Sequence, residues 1–351
     1  MFKKNLELVK RNYYSDFDRS KFLCFDANER PFDFKKSELK KINNIFQSNN
    51  YTKYPKNIKK IVKAISKRES INEKYISIHP GIDGCLKAIF ESLENNNKIK
   101  LNTIYPTYGM IEVYSKLFNF KLNKIFENSN FQQNIFSYNP NIIYIANPNS
   151  PSGYLVKTKN LIEIIKLCEK YKIYLIIDEA YIEFSNQKSF ALYVKKFKFL
   201  IILKSYSKTF GLPGIRAGYI ISNQTNIKKF SKLKSIYDVS SLSLAVINFF
   251  EKNYSIISSY LNLIKNNKLY IKKICLKQKL KYRITEGNFF YLTFRKEITN
   301  KLIKTLNKNR ILVKKINEKF THKEESSIRI TIGSKIQIRN LFEIIKKFKK
   351  T

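Results

Sequence analysis

Residues 205–219, SYSKTFGLPGIRAGY, hold the side chains best suited to chemistry. Lys208 has hydroxyls before it at Ser205 and Ser207, glycines after it at Gly211 and Gly214, and a guanidinium eight positions on at Arg216. Small hydroxyl donors, a chain with little side-chain bulk and a planar fork that grips two oxygens together suit a phosphate. An amine beside a bound phosphate points to a Schiff base with pyridoxal phosphate. A lysine near other cations and partly desolvated becomes a better nucleophile and proton carrier near neutral pH. A solvated lysine in a flexible loop is the plain alternative, and it fits most of the other lysines in the chain.

Such a group needs rigid elements to hold it. Residues 197–203 are apolar except for Lys198 and read as a strand buried on both faces, with Lys208 just past its end. Residues 173–177 form a second buried strand that delivers DEAYIEF at 178–184, which puts Asp178 at a strand end. NIIYIA at 141–146 reads as a third, ending in the turn NPNSPSG at 147–153, and residues 161–171 are helical. IYPTY at 104–108 places Tyr108 at the end of a further strand, where its ring either stacks on a flat cofactor or joins the core. A short strand at 75–78 leads into HPGIDG, with helical spacing at 85–93. That succession aims backbone N–H groups at an anion, or is an ordinary strand-to-helix turn. Strands thus alternate with helices up to 219–222, and polar residues gather past the strand C-terminal ends, where open parallel α/β sheets bind ligands.

Outside this region the chain changes texture. Residues 1–34, including DANERPF at 26–32, read as a polar arm with aromatic anchors. Amphipathic helices at 37–48 and 58–71 flank YTKYPKN at 51–57, where Pro55 presents Tyr54 in a loop. Beyond residue 236 come long helical stretches, 242–273, and short strand candidates at 289–294, 311–313 and 328–332. The expected division is therefore an arm (1–34), a large domain (35–235) and a smaller α+β domain (236–351). Within IRITIGS, Arg329 has Ile328 and Ile330 on the opposite strand face, so it either meets an anion on the inner face or lies on an exposed edge strand.

Composition removes several function classes. The 351 residues are 43% hydrophobic and 14% aromatic, which excludes general disorder. No run approaches the about 18 apolar residues of a membrane span, and the first twenty residues lack the apolar core of a signal peptide, so the expected location is the cytoplasm. Cys24, Cys85, Cys168 and Cys275 are scattered, and with His79 and His322 as the only histidines neither a zinc site nor a disulfide framework is expected. The net charge of +40 is spread from end to end with abundant Asn and Ile, as an AT-rich codon bias produces. It attracts anions, phosphorylated metabolites included, but forms no nucleic-acid-binding motif.

In order and spacing, DANERPF, the KYP turn, PTY, NPNSPSG, DEAY, SYSKTFGLPGIRAGY and RITIGS resemble the fold-type I pyridoxal-phosphate aminotransferases of classes I and II, and among them most the histidinol-phosphate aminotransferases. The resemblance covers nearly the whole chain. It implies an α/β fold with a large, mostly parallel central sheet and a smaller α+β C-terminal domain. It further implies that Lys208 carries the cofactor and shuttles a proton, that Asp178 pairs with the ring nitrogen, and that Tyr181 bonds the ring hydroxyl. Ser205, Ser207, Arg216 and the backbone of Gly81, Ile82 and Asp83 would hold the phosphate, and Tyr108 would stack on the ring. Arg329, with Asn28 and Arg30 of the arm, would bind substrate, and Tyr54 would reach the phosphate of a neighbouring subunit in a homodimer. The implied substrates are amino and 2-oxo acids, with no specific nucleic acid and no membrane.

The sequence departs from this pattern in three places. Ser150 replaces the asparagine expected at the ring hydroxyl, with Asn147 or Asn149 as possible substitutes. HPGIDG puts Ile82 where the family has a serine hydroxyl, and Arg30 stands for an asparagine, suggesting a cation near the substrate entrance. Other readings remain: a different phosphorylated or phosphonate amine, a decarboxylase like that of threonine phosphate, or an inactive basic protein bound to nucleic acid.

Overall fold

Uninterrupted Ile and Leu runs build the centre of the fold, as expected of strands covered on both faces. The computed structural model describes residues 4–9, 17–48, 52–56, 58–94, 99–127, 130–316 and 325–348. Tyr51, Asn57 and His322 lie outside the described residues. The chain divides into two compact units, one of Met1–Tyr13 and Leu39–Tyr254, the other of Tyr14–Glu38 and Ser255–Thr351.

The first unit is organised around a sheet of seven strands: β1 (Ile76–His79), β2 (Lys100–Tyr105), β3 (Lys121–Phe126), β4 (Ile142–Ala146), β5 (Tyr174–Asp178), β6 (Leu200–Ser205) and β7 (Gly218–Ser222), in the order β1-β7-β6-β5-β4-β2-β3. From β3 through β6 neighbours run parallel, while β7 is antiparallel to both β6 and β1. Every residue of β4, β6 and β7 is buried. The strand β3 was not anticipated. Its sequence, KLNKIF, exposes Lys121, Lys124 and Phe126 and buries only Ile125 on the sheet edge, where lysines discourage further pairing. The connection from β6 to β7, residues 206–217, contains no α-helix of the kind that carries a parallel crossover, and β7 returns antiparallel.

Helices cover the sheet through apolar stripes. In Thr158–Tyr171 the buried residues are Leu161, Ile164, Ile165 and Cys168, the spacing of one helix face. Helix Gly81–Glu91 buries Ile82, Cys85, Leu86, Ile89 and Phe90. It begins four residues before the expected position, because HPGIDG enters the helix directly at Gly81 instead of forming a separate turn.

The long helical stretches expected at 242–273 are two helices, Ser241–Lys252 and Tyr254–Lys277. Asn253 breaks the run with φ −119° and ψ 44°. Helix Ser241–Lys252 packs against Ile58–Glu69 of the first unit, so the units part at Tyr254/Ser255 and the expected border at 235/236 falls inside the first.

The second unit contains an antiparallel sheet in the order Lys314–Lys315, Glu325–Thr331, Phe289–Arg295, Lys281–Ile284. A separate parallel pair, Leu23–Cys24 with Ile311–Leu312, attaches the N-terminal segment. The Phe25 carbonyl extends that attachment by accepting the Thr331 N–H at 2.9 Å. Helix Lys335–Lys347 closes the unit with a capping box between Ser334 and Gln337. Among the described residues no helix is long and apolar enough to cross a membrane.

Candidate functional site

In the first unit, sheet register brings the reactive side chains to one edge of the parallel strands. Ala146 pairs with Asp178 and Asp178 with Leu203, so β4, β5 and β6 reach the same level before their polar extensions begin. Ser205 ends β6 and pairs with Gly218, which closes a loop carrying Lys208 and Arg216. Within it, the Gly211 N–H donates to the Lys208 carbonyl at 3.1 Å and the Leu212 N–H to that of Tyr206 at 3.1 Å.

Asp178 is fully enclosed, and its two oxygens take separate donors. Oδ1 accepts the Ala180 N–H at 3.0 Å and Oδ2 accepts the Tyr144 hydroxyl at 2.7 Å. Burial pushes the carboxyl up to about 6, against the lowering effect of these two hydrogen bonds. Asp178 therefore changes charge close to neutrality and would become an anion on meeting a cationic ring nitrogen. Tyr144 was missed by sequence reasoning. Its signal was a single aromatic in the otherwise aliphatic NIIYIA, with a hydroxyl that had to find a buried partner.

An anion cradle lies beside this pair. Gly218 joins Ser205 on one side and His79 on the other, linking β6 to the start of helix Gly81–Glu91. A Cβ on Gly218 would come within 2.8 Å of the Lys204 carbonyl oxygen and 3.0 Å of the Gly81 carbonyl carbon. Gly81 has φ +70°, and a Cβ there would lie 3.2 Å from Arg216 Nη2, so the guanidinium stands over the helix N-terminus. The first-turn N–H groups of that helix have no partners further down the helix and suit an anion. Arg216 Nη2 also lies 3.5 Å from Asp83 Oδ2, and the Tyr108 hydroxyl donates to Asp83 Oδ1 at 3.0 Å. Burial pushes His79 down to about 3, so it adds no charge.

These residues fit the phosphate of pyridoxal phosphate. The donors converge, and the side-chain-free surface at Gly81 is the cradle that a Cβ would fill. Ile82 has only its backbone to offer such a group, because its side chain is in the hydrophobic core. Ser205 Oγ accepts the Ser207 N–H at 3.0 Å and keeps its own proton for a phosphate oxygen. Arg216→Ala is expected to weaken pyridoxal-phosphate binding about tenfold, the low end for a charged hydrogen bond because the side chain is half exposed. Equilibrium dialysis at low and high salt checks this, with the loss shrinking as salt rises.

Of the suggested substitutes for the missing asparagine, Asn149 has both amide donors engaged and Asn147 has one of its two. Asn147 Nδ2 donates to Gln187 Oε1 at 2.5 Å and Asn147 Oδ1 accepts the Val156 N–H at 2.8 Å. Asn149 Nδ2 donates to the Pro106 carbonyl at 2.7 Å and to Ser152 Oγ at 3.0 Å, leaving only an acceptor, Oδ1, without a partner. Ser150 and the buried Tyr181 remain as hydroxyl donors for a ring hydroxyl.

Tyr54 is 73% exposed and stacks on Tyr237 with ring centroids 4.4 Å apart. The second unit carries Asn28, Arg30 and Arg329. Arg329 is on an inner strand, not an edge; its Nη2 donates to the Asp26 carbonyl at 2.7 Å, and its Nε is buried without a hydrogen-bond partner. Asn28 has φ +54°, donates its N–H to Thr331 Oγ1 at 3.0 Å and is buried. The expectation of a cation near the substrate entrance falls on Arg30, whose Nε and Nη1 are buried without hydrogen-bond partners. Its guanidinium lies 4.0 to 4.9 Å from the ring centroids of Phe34, Tyr260 and Phe32, so its charge is directed to aromatic faces.

Known proteins share this arrangement of chain. The family described as aminotransferase class I and II matches residues 20–345. A histidinol-phosphate aminotransferase of Buchnera aphidicola subsp. Cinara cedri is 31% identical over 340 residues, 93% of this chain and 92% of its own length. The crystal structure of the histidinol-phosphate aminotransferase from Clostridium acetobutylicum superposes with a TM-score of 0.81 at 24% identity, over 93% of this chain and 99% of its own. That of the Sinorhizobium meliloti histidinol-phosphate aminotransferase, in complex with pyridoxal-5'-phosphate, gives 0.86 at 17% identity, over 99% and 97%.

Proposed function

The chain belongs to the class I and II aminotransferases, pyridoxal-phosphate enzymes, and from that premise we propose that it transfers the amino group between histidinol phosphate and 2-oxoglutarate. The observation that carries the chemistry is the adjacency of β5 and β6, which brings a buried acid, Asp178, and the lysine turn to one sheet edge beside an anion cradle. The substrate assignment is supported by the similarity to histidinol-phosphate aminotransferases over most of the chain.

Bound pyridoxal phosphate supplies an electron sink for the carbanion left when an amino acid loses its Cα proton. Lys208 Nζ would take that proton from Cα and deliver it to the cofactor carbon on the far side of the shared nitrogen, two bonds away. Asp178 holds the ring nitrogen in its protonated form, while Tyr181 and Ser150 orient the ring hydroxyl. Ser205, Ser207, Arg216 and the first-turn N–H groups fix the phosphate, and Tyr108 lies against the ring. For Arg329 we propose the acidic end of each substrate as partner, which its orphaned Nε supports. The exposed stack of Tyr54 and Tyr237 supports a homodimer in which Tyr54 completes the partner subunit's phosphate site. We place the enzyme in the cytoplasm.

The test is a visible absorption spectrum of the protein with pyridoxal phosphate, followed by glutamate and histidinol phosphate in separate cuvettes. Loss of the cofactor's visible band with both amines is the expected result. Loss with glutamate alone keeps the aminotransferase and transfers the search to other phosphorylated or phosphonate amines. Release of CO2 identifies a decarboxylase, and absence of any band overturns the assignment of Lys208.

A further inference from the structure

The roles given above leave unused a buried group of charges beneath the lysine turn. Lys204 on β6 is almost wholly buried, with Nζ 3.0 Å from Glu179 Oε2, 3.1 Å from Glu183 Oε1 and 3.9 Å from Glu69 Oε2. Arg68 binds Glu69 and Glu251 at 2.6 and 2.8 Å, so two cations meet four carboxylates. The fully enclosed Glu179 already neutralises Lys204. Glu183, whose side chain is 20% exposed, is a further carboxylate that neutralising Lys204 does not require. Glu183 has a second use: its Oε2 accepts the Thr209 hydroxyl at 2.8 Å while Oε1 meets Lys204. Thr209 directly follows Lys208, Lys204 stands four residues before it, and Glu183 comes two residues after Tyr181. One carboxylate therefore joins both flanks of the reactive lysine to the segment bearing Asp178 and Tyr181. The backbone bonds within the turn, Gly211 to Lys208 and Leu212 to Tyr206, are local and cannot supply that connection. Thr209 Oγ1 has one other contact with the segment, the Ala180 carbonyl at 3.4 Å.

We propose that Glu183 and Thr209 are positioning residues that set where the Lys208 amine stands relative to Asp178 and Tyr181. This rests on the aminotransferase reading. A proton carrier displaced by a fraction of an ångström loses rate without losing affinity, because the groups that bind the cofactor's phosphate and ring stay in place.

Thr209→Val keeps the shape and removes the donor, Thr209→Ser keeps the donor, and Glu183→Gln leaves one acceptor oxygen where two are used. The measurements are kcat, KM, the rate at which Lys208 combines with added pyridoxal phosphate, the affinity for pyridoxamine phosphate, which cannot react with the lysine, and the melting temperature. Thr209→Val and Glu183→Gln are expected to lower kcat and the combination rate about tenfold, with KM and pyridoxamine-phosphate affinity within about twofold of wild type. Thr209→Ser is expected to restore both rates. A lower melting temperature with both rates unchanged would make the cluster merely structural and overturn the proposal. An equal loss of pyridoxamine-phosphate affinity would overturn it too, by placing the effect on the cradle. Should Thr209→Val fail to fold, Glu183→Gln decides by the same criteria. If the wild-type protein never combines with pyridoxal phosphate, the aminotransferase reading itself fails, an outcome distinct from a changed ratio between variant and wild type.

Discussion

Lys208→Ala is expected to lower kcat/KM for the glutamate half-reaction by about 10,000-fold, the upper end for loss of a positioned acid-base group, with loss of the covalent nucleophile added to it. The cradle of Ser205, Arg216 and the Gly81 helix start does not depend on this amine. The variant should therefore still bind pyridoxal phosphate, with a spectrum resembling the free aldehyde and no adduct after borohydride treatment. Activity above about 1% of wild type would mean that another group moves the proton, and the loop between β6 and β7 would lose its assigned role.

Asp178→Asn is expected to act in opposite directions on catalysis and on the stability of the cofactor-free protein. Removing the anion opposite the ring nitrogen should lower kcat by about 100- to 1,000-fold, the usual size for a preorganised electrostatic contact. In the cofactor-free protein the carboxyl is raised by burial from 3.8 to about 6. The folded state thus holds this proton more firmly than the unfolded state. Its advantage is complete below pH about 4, declines as pH rises from 4 to 6, and is gone above that, leaving a charged buried group. A shift of about two units corresponds to about 3 kcal/mol. Asparagine avoids that penalty but gives up part of the hydrogen bonding to Tyr144 or Ala180, about 1 kcal/mol. A net gain of about 2 kcal/mol is therefore expected at pH 8, vanishing near pH 4.5. Urea unfolding of both cofactor-free proteins at the two pH values measures it. An unchanged difference across that range would show that Asp178 does not titrate as its surroundings imply.

What the sequence disclosed, and what it withheld, follows from the range of the interactions involved. The apolar runs of β4, β5 and β6 needed only local pattern to be legible, and so did the polar residues past their ends. The strand β3 was hidden because KLNKIF has only one buried residue, Ile125, and no period-2 alternation to mark it as a strand. The early start of helix Gly81–Glu91 was hidden by a proline and a glycine that ordinarily signal a turn. At the site, residue types suggested which groups could act, but not which were already engaged. For Asn147 and Asn149 the sequence did not show the partners of their amides, Gln187 and Pro106, which come from 40 and 43 residues away. For Arg30 the sequence suggested a cation near the substrate entrance but not the ring of Tyr260, 230 residues on, that lies against its guanidinium.

The antiparallel return of β7 has a consequence for how such a protein can change. Lys208 and Arg216, proposed as the covalent and the ionic hold on one small molecule, sit in a single hairpin loop whose base is zipped by the pairing of Ser205 with Gly218. An insertion or deletion in this loop disturbs both holds in one event, whereas connections elsewhere around the sheet can lengthen without touching either. Length is thus more tightly constrained in this loop than in the other connections of the sheet.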